Sequence, residues 1–536
     1  MPTLIKAHPK PEKRIVGDLS NKERLLISPG FRGSKAKAVN GRKKEEKMES
    51  KTRKSAVEKI LTGIRGLDEA LMGGVPKGRS TLITGGTGTG KTVILNEFLY
   101  QGITQFKENG VYVAFEESKR DIIKNVKGFG WNYGSLIAQK KLAFVDAGAL
   151  REITFESGQN YDLSPLIERV KYALNKVKAK RLVIDGLDNL FSRFQNKDAV
   201  RQVLYQITAE LKNSGVTVIM TAEKLGSDKG LSRYGVEEFV ADGVIEIELI
   251  KGQQQFLRRM FVVKFRGTSF RSGIIEFEIT DQGLLVYPKI PVKNVVAKTD
   301  FQVRKDFGIK GLDDILGGGI PQGHMVLVSG NTGTGKTMFG LQFLKQGISE
   351  GENAVFVALE EPIEQVKKTA LSHGWDFNRY EKERKVNFVT TNLIDISNDK
   401  LLYQIISAVE GINAKRVLVD SISTLLSATM SEEQVRQFLL QLSRYFKAKG
   451  ITCIMNCLSS ASFGAARGQL LSSLVTNEMR LSSVTDGIIM LLFVERGQRI
   501  KKLLTVLKLR GSTHSKEIFS FEIEKGGIKM GEKYEE

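Results

Sequence analysis

Short runs of β-branched and other apolar residues recur along the chain, separated by longer stretches of helical periodicity. In the first half the apolar runs fall at 80–85, 110–115, 141–146, 181–185 and 215–221. In the second they fall at 324–329, 353–359, 385–390, 415–420 and 450–456. This alternation predicts an α/β fold, with a mostly parallel sheet flanked by helices in each half. Each half then ends in three further runs that look antiparallel, at 243–250, 258–266 and 274–279 and at 487–495, 502–510 and 517–523. The segment near 284–300, with Pro288 and Pro291, reads as a connector.

The two halves repeat one another. Thr62-Gly63-Ile64-Arg65-Gly66-Leu67-Asp68 and Gly73-Gly74-Val75-Pro76-Lys77-Gly78 return as Phe307-Gly308-Ile309-Lys310-Gly311-Leu312-Asp313 and Gly318-Gly319-Ile320-Pro321-Gln322-Gly323. The offset of 245 residues (336 − 91 at the lysines described below) marks two copies of one domain. A solenoid would repeat every 20–50 residues or so. We expect a first domain over 57–295 and a second over 296–536, preceded by a basic disordered tail over 1–56.

Composition narrows the class. The 41% apolar content is ordinary for a globular protein, and no apolar run approaches the roughly 20 residues of a membrane span. There is no signal-peptide pattern at the N-terminus, so a cytoplasmic location is the simplest inference. The two cysteines, Cys453 and Cys457, lie in a strand-like run and read as reduced core thiols, too few for a structural zinc site. The net charge of +21 is uneven. Residues 1–56 carry 16 Lys and Arg against 6 Asp and Glu. Such a tail suits nucleic acid, an acidic regulatory protein partner or an anionic surface, or is merely solvated.

The chemistry lies at the ends of the strand-like runs. Gly85-Gly86-Thr87-Gly88-Thr89-Gly90-Lys91-Thr92 and Gly330-Asn331-Thr332-Gly333-Thr334-Gly335-Lys336-Thr337 both fit G-x-x-x-x-G-K-[ST]. In such a loop, backbone N–H groups cradle phosphate, the Lys reaches the β- and γ-oxygens, and the Thr hydroxyl holds Mg²⁺. ATP and Mg²⁺ are the expected cofactors. Asp185 and Asp420 each end an apolar run, as expected of the acid that reaches Mg²⁺ through water. Glu116-Glu117 and Glu360-Glu361 each end another; a carboxylate there can activate the attacking water or hydroxyl, or simply open a helix. Lys264-Phe265-Arg266-Gly267 and Lys508-Leu509-Arg510-Gly511 end late runs, and residues two apart on a strand share a face. These cations suit either a clamp on γ-phosphate across a subunit boundary or the protection of an exposed edge.

With these residues in hand, the chain resembles the KaiC and KaiC-like family of double-domain P-loop ATPases and autokinases over roughly 57–530. Arg233-Tyr234-Gly235-Val236-Glu237-Glu238-Phe239-Val240 and Thr485-Asp486-Gly487-Ile488-Ile489-Met490-Leu491 add to the resemblance. It implies two tandem RecA-like P-loop NTPase domains, stacked as two rings of a homohexamer with ATP between subunits. Lys264, Arg266, Lys508 and Arg510 would then act on a neighbour's γ-phosphate. It also implies that the second domain phosphorylates its own hydroxyl pair. Aligned on Asp486 and Asp242, Ser482 and Ser483 face Glu238 and Phe239 of the first half. By resemblance the serines are the phosphoacceptors, with Glu360 or Glu361 as base; an ordinary polar pair before a strand is the other reading.

The chain departs from the family in several places. It has Ser-Ser where Ser-Thr is usual, Asn477 where a nearby Thr falls, and Phe270 where the first domain often has His, whereas His514 keeps that His in the second. It stops at Glu536, soon after the last strand-like run, so we do not expect control by an activator through a long C-terminal tail, and a full circadian oscillator is not implied. The expected function is an ATP-hydrolysing signalling or timing switch with serine autophosphorylation. A RecA-like DNA-dependent ATPase or recombinase is the alternative, favoured by fold and basic charge but lacking a cysteine quartet or separate DNA-binding motif. A regulatory scaffold with little turnover is a third, opposed by the intact chemistry in both halves.

Overall fold

The computed structural model describes residues 57–147, 164–191, 197–224, 232, 235, 237–252, 256–289, 302–391, 397–427, 431–459, 481–496 and 498–535. The basic tail and most of the connector lie outside the described residues, as do Arg233, Tyr234, Val236 and Asn477. Each half is built on a nine-stranded sheet. The first contains β1 (Ser80–Gly85), β2 (Gly110–Ala114), β3 (Leu142–Asp146), β4 (Arg181–Asp185), β5 (Thr217–Glu223), β6 (Gly243–Lys251), β7 (Phe256–Phe265), β8 (Ile275–Thr280) and β9 (Gly283–Tyr287). The second contains β10 (Met325–Gly330), β11 (Ala354–Ala358), β12 (Val386–Thr390), β13 (Arg416–Asp420), β14 (Thr452–Leu458), β15 (Gly487–Arg496), β16 (Arg499–Leu509), β17 (Ile518–Glu524) and β18 (Gly527–Lys533). The spatial orders are β3-β2-β4-β5-β1-β6-β7-β8-β9 and β12-β11-β13-β14-β10-β15-β16-β17-β18, so the halves share one topology.

The central strands are buried along almost their whole length because helices cover both faces. On β1, Leu82 faces the core under the helices Ser164–Val177 and Lys197–Asn213, while Ile83 faces Phe98 and Leu99 of the helix Lys91–Gln105. That is the two-residue alternation of a strand. Cys453 and Cys457 are buried in β14 and are not joined in a disulfide.

Two expectations need correction. The runs that became β6 and β15 are not wholly antiparallel: β6 pairs parallel with β1 and β15 parallel with β10, and only their other edges meet antiparallel partners. The late runs also number four per half. Residues 283–287 form β9 rather than connector, folded back on β8 through Asp281-Gln282, with Thr280 opposite Gly283. Gly283 there has φ +118°, a conformation costly for other residues.

Residues Glu58–Glu536 form one compact unit. Within it the helix Asn398–Ile412 of the second half reaches the first half's late strands. Lys400 Nζ lies 2.6 Å from Glu278 Oε1, and the rings of Tyr287 and Tyr403 are 5.7 Å apart.

Candidate active sites

Parallel order brings the carboxyl ends of β1, β2, β4 and β5 to one edge, where α/β sheets bind ligands. The loop Gly85–Thr92 leaves β1 and enters the helix Lys91–Gln105; its counterpart leaves β10 and enters Lys336–Ser349. Gly88 and Gly90 adopt φ +74° and +109°, Gly333 and Gly335 +82° and +105°. A β-carbon at Gly86 or Gly88 would meet nothing within 4 Å, so the loop's outer surface is open. Thr89 and Thr334 brace the loops from inside, donating to the carbonyls of Gly86 and Asn331 at 2.8 Å each. Thr87 donates to Glu223 Oε1 at 3.0 Å, and Thr332 is exposed.

Both loop lysines fold onto their own loops. Lys91 Nζ donates to the carbonyls of Gly85 and Gly86 at 2.7 and 2.9 Å, and Lys336 Nζ to those of Gly330 and Asn331 at 2.8 and 2.9 Å. Partial burial lowers both ammonium pKa values, against the pull of Glu223, Asp188, Asp185 and Glu116 in the first site and of Asp420 and Glu360 in the second. A phosphate bound in the loop would add negative charge beside these ammonium groups.

Asp185 and Asp420 stand beside the loops. Thr337 Oγ1 donates to Asp420 Oδ2 at 2.7 Å. Asp185 instead accepts from Tyr112 and Thr221, each at 2.7 Å. Burial raises the Asp420 pKa, with Glu360 adding to it and Thr337 opposing.

The carboxylate doublets lie at the mouths of the sites. Glu116 packs against Gly186, whose added β-carbon would come within 2.8 Å of Glu116 Cγ. The Glu116 pKa is raised by partial loss of water and then by Asp185, although its side chain still reaches solvent. Glu117 accepts from Asn125 at 3.1 Å. In the second half it is Glu361 whose pKa is raised, by desolvation and then by Asp420 and Glu360.

The cation pairs are elsewhere. Lys264 pairs with Val244 on β6, and Gly243 on β6 pairs with Thr81, at the start of β1. The phosphate loop leaves the other end of β1, where Gly85 pairs with Ile247. Val244 itself pairs with Leu82, so three residues of strand, about 10 Å, separate the level of Lys264 from the subunit's own loop, and Arg266 lies further along still. The second half repeats this: Lys508 pairs with Ile488, Ile488 with Leu327, and the loop departs beyond Gly330. At this far edge Lys264 donates to the carbonyl of Glu238 and Arg266 to that of Phe239 at 2.7 Å. Lys508 donates to the carbonyls of Ser482 and Thr485 at 2.6 and 2.7 Å, and Arg510 lies 3.5 Å from Asp486. Ser482 is half-buried and Ser483 exposed. The structure thus gathers loop, Asp and Glu at one edge, and Lys, Arg and serines at the other.

Tyr112, Thr221, Asp188 and Glu223 escaped sequence reasoning. Tyr112 and Thr221 sit inside apolar runs; the one signal was a hydroxyl where its neighbours have none. Among the described residues no three His, Cys, Asp or Glu cluster as a self-sufficient metal site, and no helix is long and apolar enough to cross a membrane.

Comparison with known proteins agrees with this duplicated geometry. The family model for the KaiC ATPase matches residues 60–290 and again 306–535. The circadian clock oscillator protein KaiC of Acaryochloris marina is 35% identical over 474 residues, 88% of each chain. That of Synechococcus elongatus is 35% identical over 472 residues, 88% of this chain and 89% of its own. That of Thermosynechococcus vestitus is 35% identical over 491 residues, 91% of this chain and 92% of its own.

Proposed function

The chain belongs to the KaiC family of ATPases, and on that premise we propose a homohexameric signalling or timing switch. Each half hydrolyses ATP, and the second also phosphorylates its own serines. The observation that carries this reading is the separation of each Lys/Arg pair from its own phosphate loop. A nucleotide on one subunit is completed by Lys264 and Arg266, or Lys508 and Arg510, of the next.

The donor set suits Mg²⁺. The hydroxyls of Thr92 and Thr337 and the carboxylates of Asp185 and Asp420 are hard oxygens, and Mg²⁺ takes few protein ligands, leaving its other positions to phosphate and water. When bound, the ion would neutralise charge on the β- and γ-phosphates. The loop N–H groups and Lys91 or Lys336 hold the phosphates. A carboxylate of Glu116–Glu117 or Glu360–Glu361 takes the proton of the attacking oxygen. The Glu116 and Glu361 pKa values are raised by loss of water and by neighbouring carboxylates, which moves each toward the range of a general base. In the second half the attacking oxygen is water or a neighbour's Ser482 or Ser483 hydroxyl; its bond to phosphorus forms as the bond to ADP breaks.

The test is transfer of labelled γ-phosphate into purified protein, with peptide mapping. Label on Ser482 or Ser483, absent in Lys336→Ala, is expected. Phosphate release with no retained label would leave a double ATPase and remove the kinase.

A further inference from the structure

The halves differ at the carboxylate that serves the phosphate loop. Tyr112 pairs with Val183, two residues before Asp185, and Phe356 pairs with Leu418, two residues before Asp420. They occupy the same place, but only Tyr112 has a hydroxyl to give. On the neighbouring strand, Thr221 and Asn456 also correspond, each following a residue that faces the same level: Ile184 meets Met220 and Val419 meets Met455. In the first half, then, both oxygens of the buried Asp185 accept from hydroxyls. Thr221 is itself fixed, accepting from the Gly186 N–H at 3.0 Å. The Tyr112 ring is fully buried and stacked on Phe144, 5.3 Å away, so it has little room to swing aside. Among the described residues no hydrogen bond joins Thr92 to Asp185, whereas Thr337 donates directly to Asp420.

We propose that Tyr112 is a positioning residue that holds Asp185 away from Thr92 and so makes the first half bind Mg²⁺ more weakly than the second. The proposal rests on the Mg·ATP reading above. A threonine that gives its proton to a carboxylate turns its oxygen lone pairs outward and makes them richer in electrons, the state a cation needs. Thr337 has that arrangement and Thr92 does not. Both oxygens of Asp185 are held by fixed hydroxyls from outside the phosphate loop, whereas Asp420 accepts from the loop's own Thr337. Hydrogen bonds to a charged group are stronger than neutral ones, so Asp185 keeps these partners.

The test is Mn²⁺ binding, read by the loss of free-ion EPR signal, to the full chain with a non-hydrolysable ATP analogue. Two classes of site are expected. Tyr112→Phe should tighten the weaker class by roughly three- to tenfold, the range of one net hydrogen bond. Phe356→Tyr should weaken the tighter class. Analogue affinity without metal should not move in either variant. A substitution that only damaged packing would not tighten metal binding. If neither variant moves either class, or if the unaltered chain shows one class, the proposal is overturned. If the analogue binds but recruits no metal at all, the Mg·ATP reading fails and takes the proposal with it.

Discussion

The two halves carry one backbone plan and diverge in a few side chains at the strand ends. Glu238 and Phe239 face Ser482 and Ser483, Tyr112 faces Phe356, and Glu97 faces Gln342. Loop, strand order and cation pair are the same in both. Duplication thus kept the loop, the strand-end acids and the cation pair, while the proposed acceptor positions and the groups around the strand-end acid drifted apart. A difference between the halves in activity should therefore trace to single side chains rather than to architecture.

The largest effect should come from the feature both halves share. Arg266→Ala and Lys91→Ala, each in a chain whose second half carries Glu360→Gln and Glu361→Gln, should both lose first-half hydrolysis by about 10³-fold or more. Mixing the two after disassembly should restore a fraction of it, because an intact loop on one subunit then meets an intact Arg266 on another. No recovery on mixing, with mixed oligomers verified, would mean that the pair acts within one chain or only holds residues 238–239 in place.

Glu97 sharpens the contrast next. It is buried in the helix behind the first phosphate loop and accepts from the Leu284 N–H at 2.7 Å. Burial pushes its pKa from 4.5 to about 7, despite opposing help from Leu284, Gln101 and Arg65. Gln342 fills the same place in the second half, accepting from Ile528 N–H at 2.9 Å and donating to the Gly308 carbonyl at 2.7 Å. A carboxyl whose folded pKa is raised stabilises fully below its unfolded value and loses that contribution as pH rises through the folded one. The first half should therefore weaken between about pH 4.5 and pH 7, by roughly 3 kcal/mol. Glu97→Gln should abolish that slope and stabilise the protein at pH 8. Urea unfolding at pH 5 and pH 8 decides it; equal slopes in both proteins would rule out this role.

Strand positions were legible, as was the placement of the loop motifs, the acids and the Lys/Arg runs at strand ends, because each of these depends on local pattern. What pairs with what was less so. A strand-like run carries no mark of its second neighbour, so the parallel edges of β6 and β15 were missed. The two-residue turn before β9 has Gly283 only after its central positions, and Pro288 close behind invited a connector. The buried arginines at the start of β4 and β13 were equally silent. Arg181 bonds Glu108 at 2.7 Å and lies over the Phe98 ring; Arg416 bonds Glu352 at 2.7 Å and lies over Phe343. Each occupies space left by a helical glycine: a β-carbon at Gly102 or Gly347 would fall 2.3 or 2.2 Å from the arginine's Cδ. Alanine ordinarily favours a helix, yet Gly102→Ala and Gly347→Ala should each destabilise by about 1–3 kcal/mol through overpacking. Unchanged thermal unfolding in both would show that the arginines yield easily.

The smallest effect belongs to the contact between halves. Lys400 and Glu278 are 2.6 Å apart, with Lys400 largely covered and Glu278 43% exposed, so water screens the pair from one side. Such a bridge is worth about 0.5–1 kcal/mol. Lys400→Met keeps the stem and removes the charge, so stability should fall by no more than that, and less at high salt. Its use lies in the comparison. If each half works alone, the variant should leave the phosphate-release rate of both halves unchanged. If the helix Asn398–Ile412 carries the nucleotide state of one half to the other, the first half's rate should respond differently to second-half variants once the bridge is gone. A double-mutant cycle of Lys400→Met with Lys336→Ala, read by first-half hydrolysis, separates the two. Additive effects would mean that this bridge carries no signal between the halves, and a coupling term would mean that it does.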